Sequence, residues 1–230
     1  MKALMNWSGG KDSALALYLL QQQNTPPLTL FTTLNKAFQR ISMHGVRLPL
    51  LQAQAQALNL PLKIVDIPEQ VSMEQYNQLM QQALIPFKEQ GITHSVFGDI
   101  FLEDLKAYRE EQLAKLGLEA HFPLWGKPTS QVMKEFLQLG FKTLVVAANA
   151  KLLDKSFVGR VIDKQFLEDL PENVDPCGEN GEFHTFVFDG PNFSHPIPFQ
   201  VGETVLKTYK HSQEVAWDNQ FWFCDLLPET

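Results

Sequence analysis

The sequence offers few signs of metals, membranes or nucleic acid. Only two cysteines occur in 230 residues, Cys177 and Cys224. With no C-x-x-C pair they signal neither a zinc site nor a redox couple, and each reads as a small, reduced residue. The six histidines show no H-x-x-x-H or comparable spacing with a carboxylate, so no protein-held metal is expected. Apolar runs stop far short of the roughly 20 residues a membrane helix needs. Met1-Lys2-Ala3 leads straight into an apolar strand rather than a secretory leader, so the expectation is a cytoplasmic chain with no membrane partner. No cluster of Lys and Arg is present, and 19 basic against 26 acidic residues leave a net charge of −7. A nucleic-acid binder usually carries a basic face, so no nucleic-acid partner is expected. Internal repeats, low-complexity tracts and charge blocks are absent as well.

What remains is an ordinary globular composition, 44% hydrophobic and 20% charged, enough for one large domain or two small ones. The pattern alternates. Ala3–Trp7, Leu28–Leu34, Leu62–Ile67, Ser95–Gly98 and Glu119–Pro123 read as five strands. Helical periodicity separates them over Ala14–Gln23, Gly45–Asn59, Met73–Phe87 and Leu102–Leu116. Ser72 with Gln75 makes a capping box for the third helix, whose last turn Pro86 should bend or shorten. Such alternation predicts a doubly wound, five-stranded parallel α/β sheet. From Trp125 the texture changes to a helix (Ser130–Leu139), a strand (Leu144–Ala148), a short helix from Asp163 and two alternating segments, Phe199–Lys210 and Gln220–Leu226. We therefore expect residues 1–124 to form one domain and residues 125–230 a smaller α+β domain.

The densest chemistry in the first part is Ser8-Gly9-Gly10-Lys11-Asp12-Ser13, between the first strand and first helix. Two glycines let the backbone approach a bulky anion, and the helix start directs unpaired N–H groups outward. This is a phosphate cradle, although a bare Gly-Ser turn linking strand to helix has a similar composition. It is not a Walker loop, which would need glycine at Met5 and Ser or Thr where Asp12 stands. In a doubly wound sheet ligands sit past the C-terminal strand ends, so Asn35, Gly98 and Asp99 should share the rim with this loop.

The second part has its own dense stretch, Asp175-Pro176-Cys177-Gly178-Glu179-Asn180-Gly181-Glu182-Phe183-His184, running on to Pro191. On composition alone it fits a hydrogen-bonding loop at a site or a tight hairpin with solvated acids. Cys177, with no assigned base nearby, reads as a packing residue rather than a nucleophile. The aromatic set Phe183, Phe186, Phe188, Phe193, Phe221, Trp222 and Phe223 reads as core.

The loop resembles the S-G-G-x-D-S pyrophosphate loop of the ATP-pyrophosphatase, or adenine nucleotide α-hydrolase, superfamily. With Asp175–Pro191, Pro123-Leu124-Trp125 and Leu153 through Arg160, the chain resembles the diphthine-ammonia ligase family over nearly its whole length. The resemblance implies a HUP-like, Rossmann-like nucleotide fold and an ATP- and Mg²⁺-dependent enzyme that adenylates a carboxylate, releases pyrophosphate and transfers ammonia, with a homodimer as the expected assembly. It implies ATP contacts from Ser8 to Ser13, with Lys11, Asp12 and Ser13 catalytic. Gly178, Glu179, Asn180, Gly181, Glu182 and His184 are expected on the acceptor side, facing the loop across a cleft, with Glu179, Asn180 and Glu182 aiding ammonia's attack. The acceptor would be a small molecule or a modified protein side chain.

One segment departs from the resemblance. Family members that make diphthamide carry G-A-I-x-S-x-Y-Q-R-x-R-V-E after the fourth strand; here Gly98 to Glu110 keeps only Gly98, Ile100 and Glu110. Asp99 and Arg109 suggest a different acceptor, and Ser42–Arg47, containing His44 and Arg47, resembles a bacterial branch of the family. Asp99, Arg109, His44 and Arg47 are thus candidate acceptor contacts. Two other readings stay open: a tRNA-thiolating enzyme using the same loop, and a non-catalytic adenine-nucleotide-binding protein.

Overall fold

The structure is a computed structural model that describes residues 1–38, 40–41, 44–208 and 220–229. The first sheet contains β1 (Ala3–Asn6), β2 (Thr29–Asn35), β3 (Arg40–Ile41), β4 (Leu62–Ile67), β5 (His94–Val96) and β6 (Glu119–His121). β1 lies parallel between β2 and β5, with Met5 opposite Leu30 and Val96. β4 adds parallel to β2 and β6 to β5. These five strands are the expected parallel set. The short β3, which the sequence does not signal, folds back antiparallel on β2, pairing Ile41 with Leu34.

Helices α1 (Lys11–Gln22), α2 (Leu48–Ala57), α3 (Met73–Glu89) and α4 (Glu103–Ala114) connect these strands. Alternation along β1 decides the layering: Met5 packs with Leu15, Leu17, Leu50 and Leu51 on one face. Leu4 packs with Leu84 and Leu113 on the other. All four helices are thereby assigned to faces, α1 and α2 to the first and α3 and α4 to the second, and the sheet is doubly wound. Burying a side chain such as Leu15 contributes about 1.5–3 kcal/mol, so each helix is held by its apolar stripe rather than by propensity. Because β1 is flanked by β2 on one side and β5 on the other, strand order reverses at its C-terminal end. That is the crevice in which ligands of such sheets bind.

The rest of the chain forms α5 (Thr129–Gln138), β7 (Lys142–Asn149), a 3₁₀ turn (Lys155–Phe157), α6 (Lys164–Asp169), β8 (Phe183–Asp189), β9 (Phe199–Thr208) and β10 (Gln220–Pro228). The four strands make an antiparallel sheet in the order β8-β7-β10-β9. Its buried Val145, Phe183 and Phe186 join the same core as Leu15 and Leu51. Of the aromatic set, Phe183, Phe186, Phe193 and Phe223 are buried.

Several boundaries differ from expectation for local reasons. α2 starts at Leu48 rather than Gly45, because Gly45 has φ of +67° and Arg47 is extended as the N-cap, with Pro49 in the first turn. α3 has the expected Ser72–Gln75 capping box but runs through Pro86 to Glu89. Pro86 and Gln82 are both exposed, so the carbonyl that loses its intrahelical donor can turn to water. β5 ends at Val96 and β6 at His121, each shorter at its C-terminus than the apolar runs suggest. β9 ends at Thr208; the expected continuation to Lys210 lies outside the described residues, as do Ser42, Met43 and His211.

Candidate functional site

The loop between β1 and α1 is built to present backbone N–H groups. Gly9 takes φ of +78°, which glycine adopts without strain, and Gly10 is an extended N-cap with no side-chain cap bond of its own. The Ser13 hydroxyl donates to the Gly10 carbonyl at 2.9 Å, the Gly10 N–H reaches Ser8 Oγ at 3.2 Å, and the two serine hydroxyls lie 3.2 Å apart. Ser8 and Asp12 are the partly exposed members of an otherwise buried loop. An uncapped helix start flanked by two serine hydroxyls suits an anion.

β8 forms the loop's inner wall. Val187 N–H donates to the Gly9 carbonyl at 2.9 Å, and Lys11 N–H donates to Thr185 Oγ1 at 3.0 Å. On the other side Gly98 abuts the start of α1: an added Cβ would stand 2.8 Å from the Asp12 carbonyl carbon and 2.9 Å from Ser13 N. Only glycine lets the end of β5 meet the helix there.

Around this junction five charged groups converge. Lys11 is buried, its Nζ held by both Asp12 carboxylate oxygens at 3.0 and 2.8 Å and 5.6 Å from the centre of the Phe183 ring. Burial works against its charge, but Asp12, with Glu179 beyond it, more than compensates and raises the pKa. Glu179 Oε1 accepts from Ile100 N–H at 2.7 Å. Its carboxyl is pushed up to about 7, chiefly by burial and further by Asp12 and Asp99, against the opposing Ile100 N–H and Lys11. Asp99 is raised too, mainly by burial; Arg109 opposes this at 3.1 Å from Oδ1 while stacked 4.2 Å from the Phe97 ring centre. Asp99 Oδ2 and Arg109 Nε are buried and find no hydrogen-bond partner among the described residues.

The second signature divides into a presented residue and its supports. Asp175 Oδ1 accepts from the N–H groups of Cys177 and Glu179, at 2.9 and 3.2 Å. Glu182, only 3% exposed, turns inward: its Oε1 accepts from Asp175 N–H at 3.1 Å and from Asn180 Nδ2 at 2.9 Å. Gly178 (φ +66°) presses on Phe183 and Gly181 (φ +85°) completes the turn. Within this stretch Glu179 interacts electrostatically with Lys11 of the loop, whereas Asn180 and Glu182 bond to each other and Glu182 to Asp175 in their own loop. Farther along the same stretch, Thr185 and Val187 of β8 bond directly to Lys11 and Gly9. The Cys177 thiol, pushed up by burial, donates to the Thr129 carbonyl at 3.3 Å, consistent with packing rather than nucleophilic chemistry.

His44 and His184 flank the same loop with ring centres 4.8 Å apart. His44 Nδ1 lies 3.0 Å from the Thr185 carbonyl, to which it donates, and a Cβ on Gly10 would come within 2.9 Å of His44 Cε1. Burial lowers the pKa of both rings, and the neighbouring Lys11 adds to the effect. Two other candidates have committed side chains. Arg47 forms a two-pronged pair with Asp225, at 3.0 and 2.6 Å, which also takes Arg40 at 2.8 Å. Asn35 Oδ1 accepts from Ala37 and Phe38 N–H, closing the turn after β2.

Among the described residues no group of three or more His, Cys, Asp or Glu is arranged to hold a metal ion by itself. Mg²⁺ shared with phosphates requires only one or two carboxylates, and the partly exposed Asp12 at the loop fits that lesser requirement. No helix among the described residues is long and apolar enough to cross a membrane. Sequence reading missed Gln54 of α2, fully buried and bonded to Gly9, Trp7 and Val187. The available signal was its place on the apolar stripe of Leu50, Leu51, Ala55 and Leu58.

The family described as the diphthamide synthase N-terminal domain matches residues 1–120, and its C-terminal domain counterpart matches residues 128–227. Among curated proteins, the diphthine–ammonia ligase of Homo sapiens is 26% identical over 136 residues, covering 56% of this chain and 51% of that protein. The Danio rerio protein of the same name is 29% identical over 136 residues, 55% of this chain and 52% of its own. The chain thus spans about half the length of the curated relatives it matches. A solved structure described as a predicted subunit of tRNA methyltransferase from Methanocaldococcus jannaschii aligns with a TM-score of 0.48 at 15% identity, over 83% of this chain and 98% of that one.

Proposed function

The chain belongs to the diphthamide synthase family, and from that premise we propose that it is an ATP-dependent ligase. It adenylates a carboxylate and passes the acyl group to ammonia, releasing pyrophosphate and then AMP. The observation that carries this reading is the convergence of two segments far apart in sequence: Glu179 of the second signature bonds Ile100 N–H, two residues past the Gly98 that abuts Asp12 and Ser13 of the loop. An acyl-adenylate forms where a carboxylate meets the α-phosphate, so acceptor-side chemistry has to lie within reach of the phosphate loop.

In this reading residues 1–124 hold the nucleotide and residues 125–230 supply the acceptor side. Ser8, Ser13 and the α1 N-terminus bind the phosphates, and Lys11 exchanges its contact with Asp12 for a phosphate oxygen. Asp12 is then free to help hold Mg²⁺, which when bound would neutralise charge on the departing pyrophosphate. A carboxylate oxygen attacks the α-phosphorus as the bond to the β-phosphate bridge breaks. Ammonia then attacks the acyl carbon, the bond to AMP breaks, and nitrogen's surplus proton passes to Glu179, whose pKa of about 7 suits that task. Asp99 and Arg109, with buried polar atoms to spare, line the acceptor side, and His44 and His184 lie along the loop's flank. The acceptor is a carboxylate on a small molecule or a modified protein side chain.

Phosphorus NMR of reactions containing ATP, MgCl₂, ammonium and a panel of carboxylates tests the proposal. Acceptor-dependent AMP and pyrophosphate are expected; ADP and phosphate as the products would overturn it.

A further inference from the structure

Gln54 is a fully buried amide, and a buried amide has two N–H groups and an oxygen to satisfy. Its partners come from two segments far apart in sequence, residues 7–9 and Val187. Nε2 donates to the Gly9 carbonyl at 3.0 Å and to the Val187 carbonyl at 2.6 Å, while Oε1 accepts from Trp7 Nε1 at 3.0 Å. Val187 N–H also donates to Gly9 O, at 2.9 Å. The Gly9 carbonyl is therefore held by two donors in the protein's interior.

That anchorage has a geometric consequence on the opposite side of the same peptide bond. A trans peptide is planar, with its C=O and N–H pointing in opposite directions. Fixing Gly9 O inward turns Gly10 N–H outward, to the side where Ser8 Oγ lies 3.2 Å away and Ser13 Oγ stands beside it. Both residues of this peptide are glycine, so no Cβ resists a flip of the plane. Restraint has to come from hydrogen bonds. We infer that Gln54 is a positioning residue that locks the Gly9–Gly10 peptide with its N–H toward the pyrophosphate end of the nucleotide. Gln54 touches no substrate; it acts through Gly9, and it ties that orientation to β8 through Val187.

The inference rests on the ligase reading, and the experiment separates the two. Wild type, Gln54→Met and Trp7→Phe are titrated calorimetrically with α,β-methylene-ATP and with AMP, alongside thermal melts. Gln54→Met keeps the side-chain length but removes every hydrogen bond. It should weaken α,β-methylene-ATP binding about fivefold to tenfold, the effect of one lost hydrogen bond, and AMP binding by less than about twofold. Trp7→Phe removes only the bond that does not reach the loop, so it should lower the melting temperature and leave both affinities unchanged. Equal losses for both nucleotides, or no loss for either, would overturn the positioning role. Should Gln54→Met not fold, the wild-type amide spectrum decides. The Gly10 N–H resonance must shift on adding α,β-methylene-ATP, and an unmoved Gly10 resonance in the bound protein would overturn the inference. A wild type that binds no α,β-methylene-ATP removes the ligase reading itself.

Discussion

Glu179 and Ile100 are 79 positions apart in sequence, yet the Glu179 carboxylate accepts the Ile100 N–H at 2.7 Å. That bond pins the second signature to the residue that follows Gly98 and Asp99, at the mouth of the phosphate loop. Gln at position 179 can accept the same bond, so Glu179→Gln should fold and bind ATP normally. It should slow amide formation by about 10²–10⁴-fold, the usual contribution of a general base. Wild-type activity should climb through about pH 7 as Glu179 ionises, and the variant should lack that limb. Stability runs the opposite way. The folded protein holds this proton more tightly than the unfolded chain, whose ordinary value is 4.5, so the contribution is full below that pH and lost as pH rises through about 7. Urea titrations on either side of that window should show wild type losing stability relative to Glu179→Gln.

Glu182 should behave as a structural group. Glu182→Leu would remove the acceptor of Asp175 N–H and of the exposed Asn180 amide, which can turn to water, at a total cost of about 1–3 kcal/mol. Glu182→Gln keeps the accepting oxygen and should cost much less. Denaturation midpoints check the order, and a Glu182→Gln protein of full stability but no ligase activity would return Glu182 to the chemistry.

Asp12 has a second task besides the ligand. Because it is the hydrogen-bonded counter-ion of a buried lysine, Asp12→Ala should destabilise the fold by about 1–3 kcal/mol as well as weaken ATP binding. Adding Lys11→Met should recover much of the stability and none of the binding. A double-mutant cycle measured by urea unfolding gives the coupling directly.

Asp225 joins β10 to the β3–α2 segment. The paired Arg47 and Arg40 hold its carboxyl well below the ordinary 3.8, so its contribution is present above that value and lost as pH falls below it. Asp225→Asn should lower stability by about 1 kcal/mol at neutral pH, since the arginines are partly exposed. The difference from wild type should vanish in acid, as thermal melts across that range would show.

The features legible in the sequence are those set by near neighbours. Alternation of strands with 3.6-residue periodicity predicts the doubly wound sheet, Gly9 and Gly10 mark the loop, and Ser72 with Gln75 marks the start of α3. The less legible features depend on contacts between distant segments. Gln54 falls on the apolar stripe of α2, but the Gln52 and Gln56 beside it in an alternating Gln-Ala run make it look like one more solvated amide. Its burial becomes meaningful only when Gly9 and Val187 arrive. Glu179 and Glu182 are chemically alike and three residues apart, and the turn between Gly178 and Gly181 sends one outward and one inward. Arg47 looks available until Asp225, 178 positions later, occupies it.

The wall that β8 lends the loop through Thr185 and Val187 constrains how this chain can be inherited or engineered. A phosphate loop of this kind would pass between proteins most easily as a cassette of one strand, one turn and one helix. Here the cassette is incomplete, since Gly9 O and Lys11 N have their partners in residues 185–187. Recombination that exchanged the C-terminal part for that of a distant relative would change the backing of the loop along with the acceptor side. Chimaeras should therefore be joined so that residues 183–189 travel with residues 7–13, even though more than 160 residues separate them.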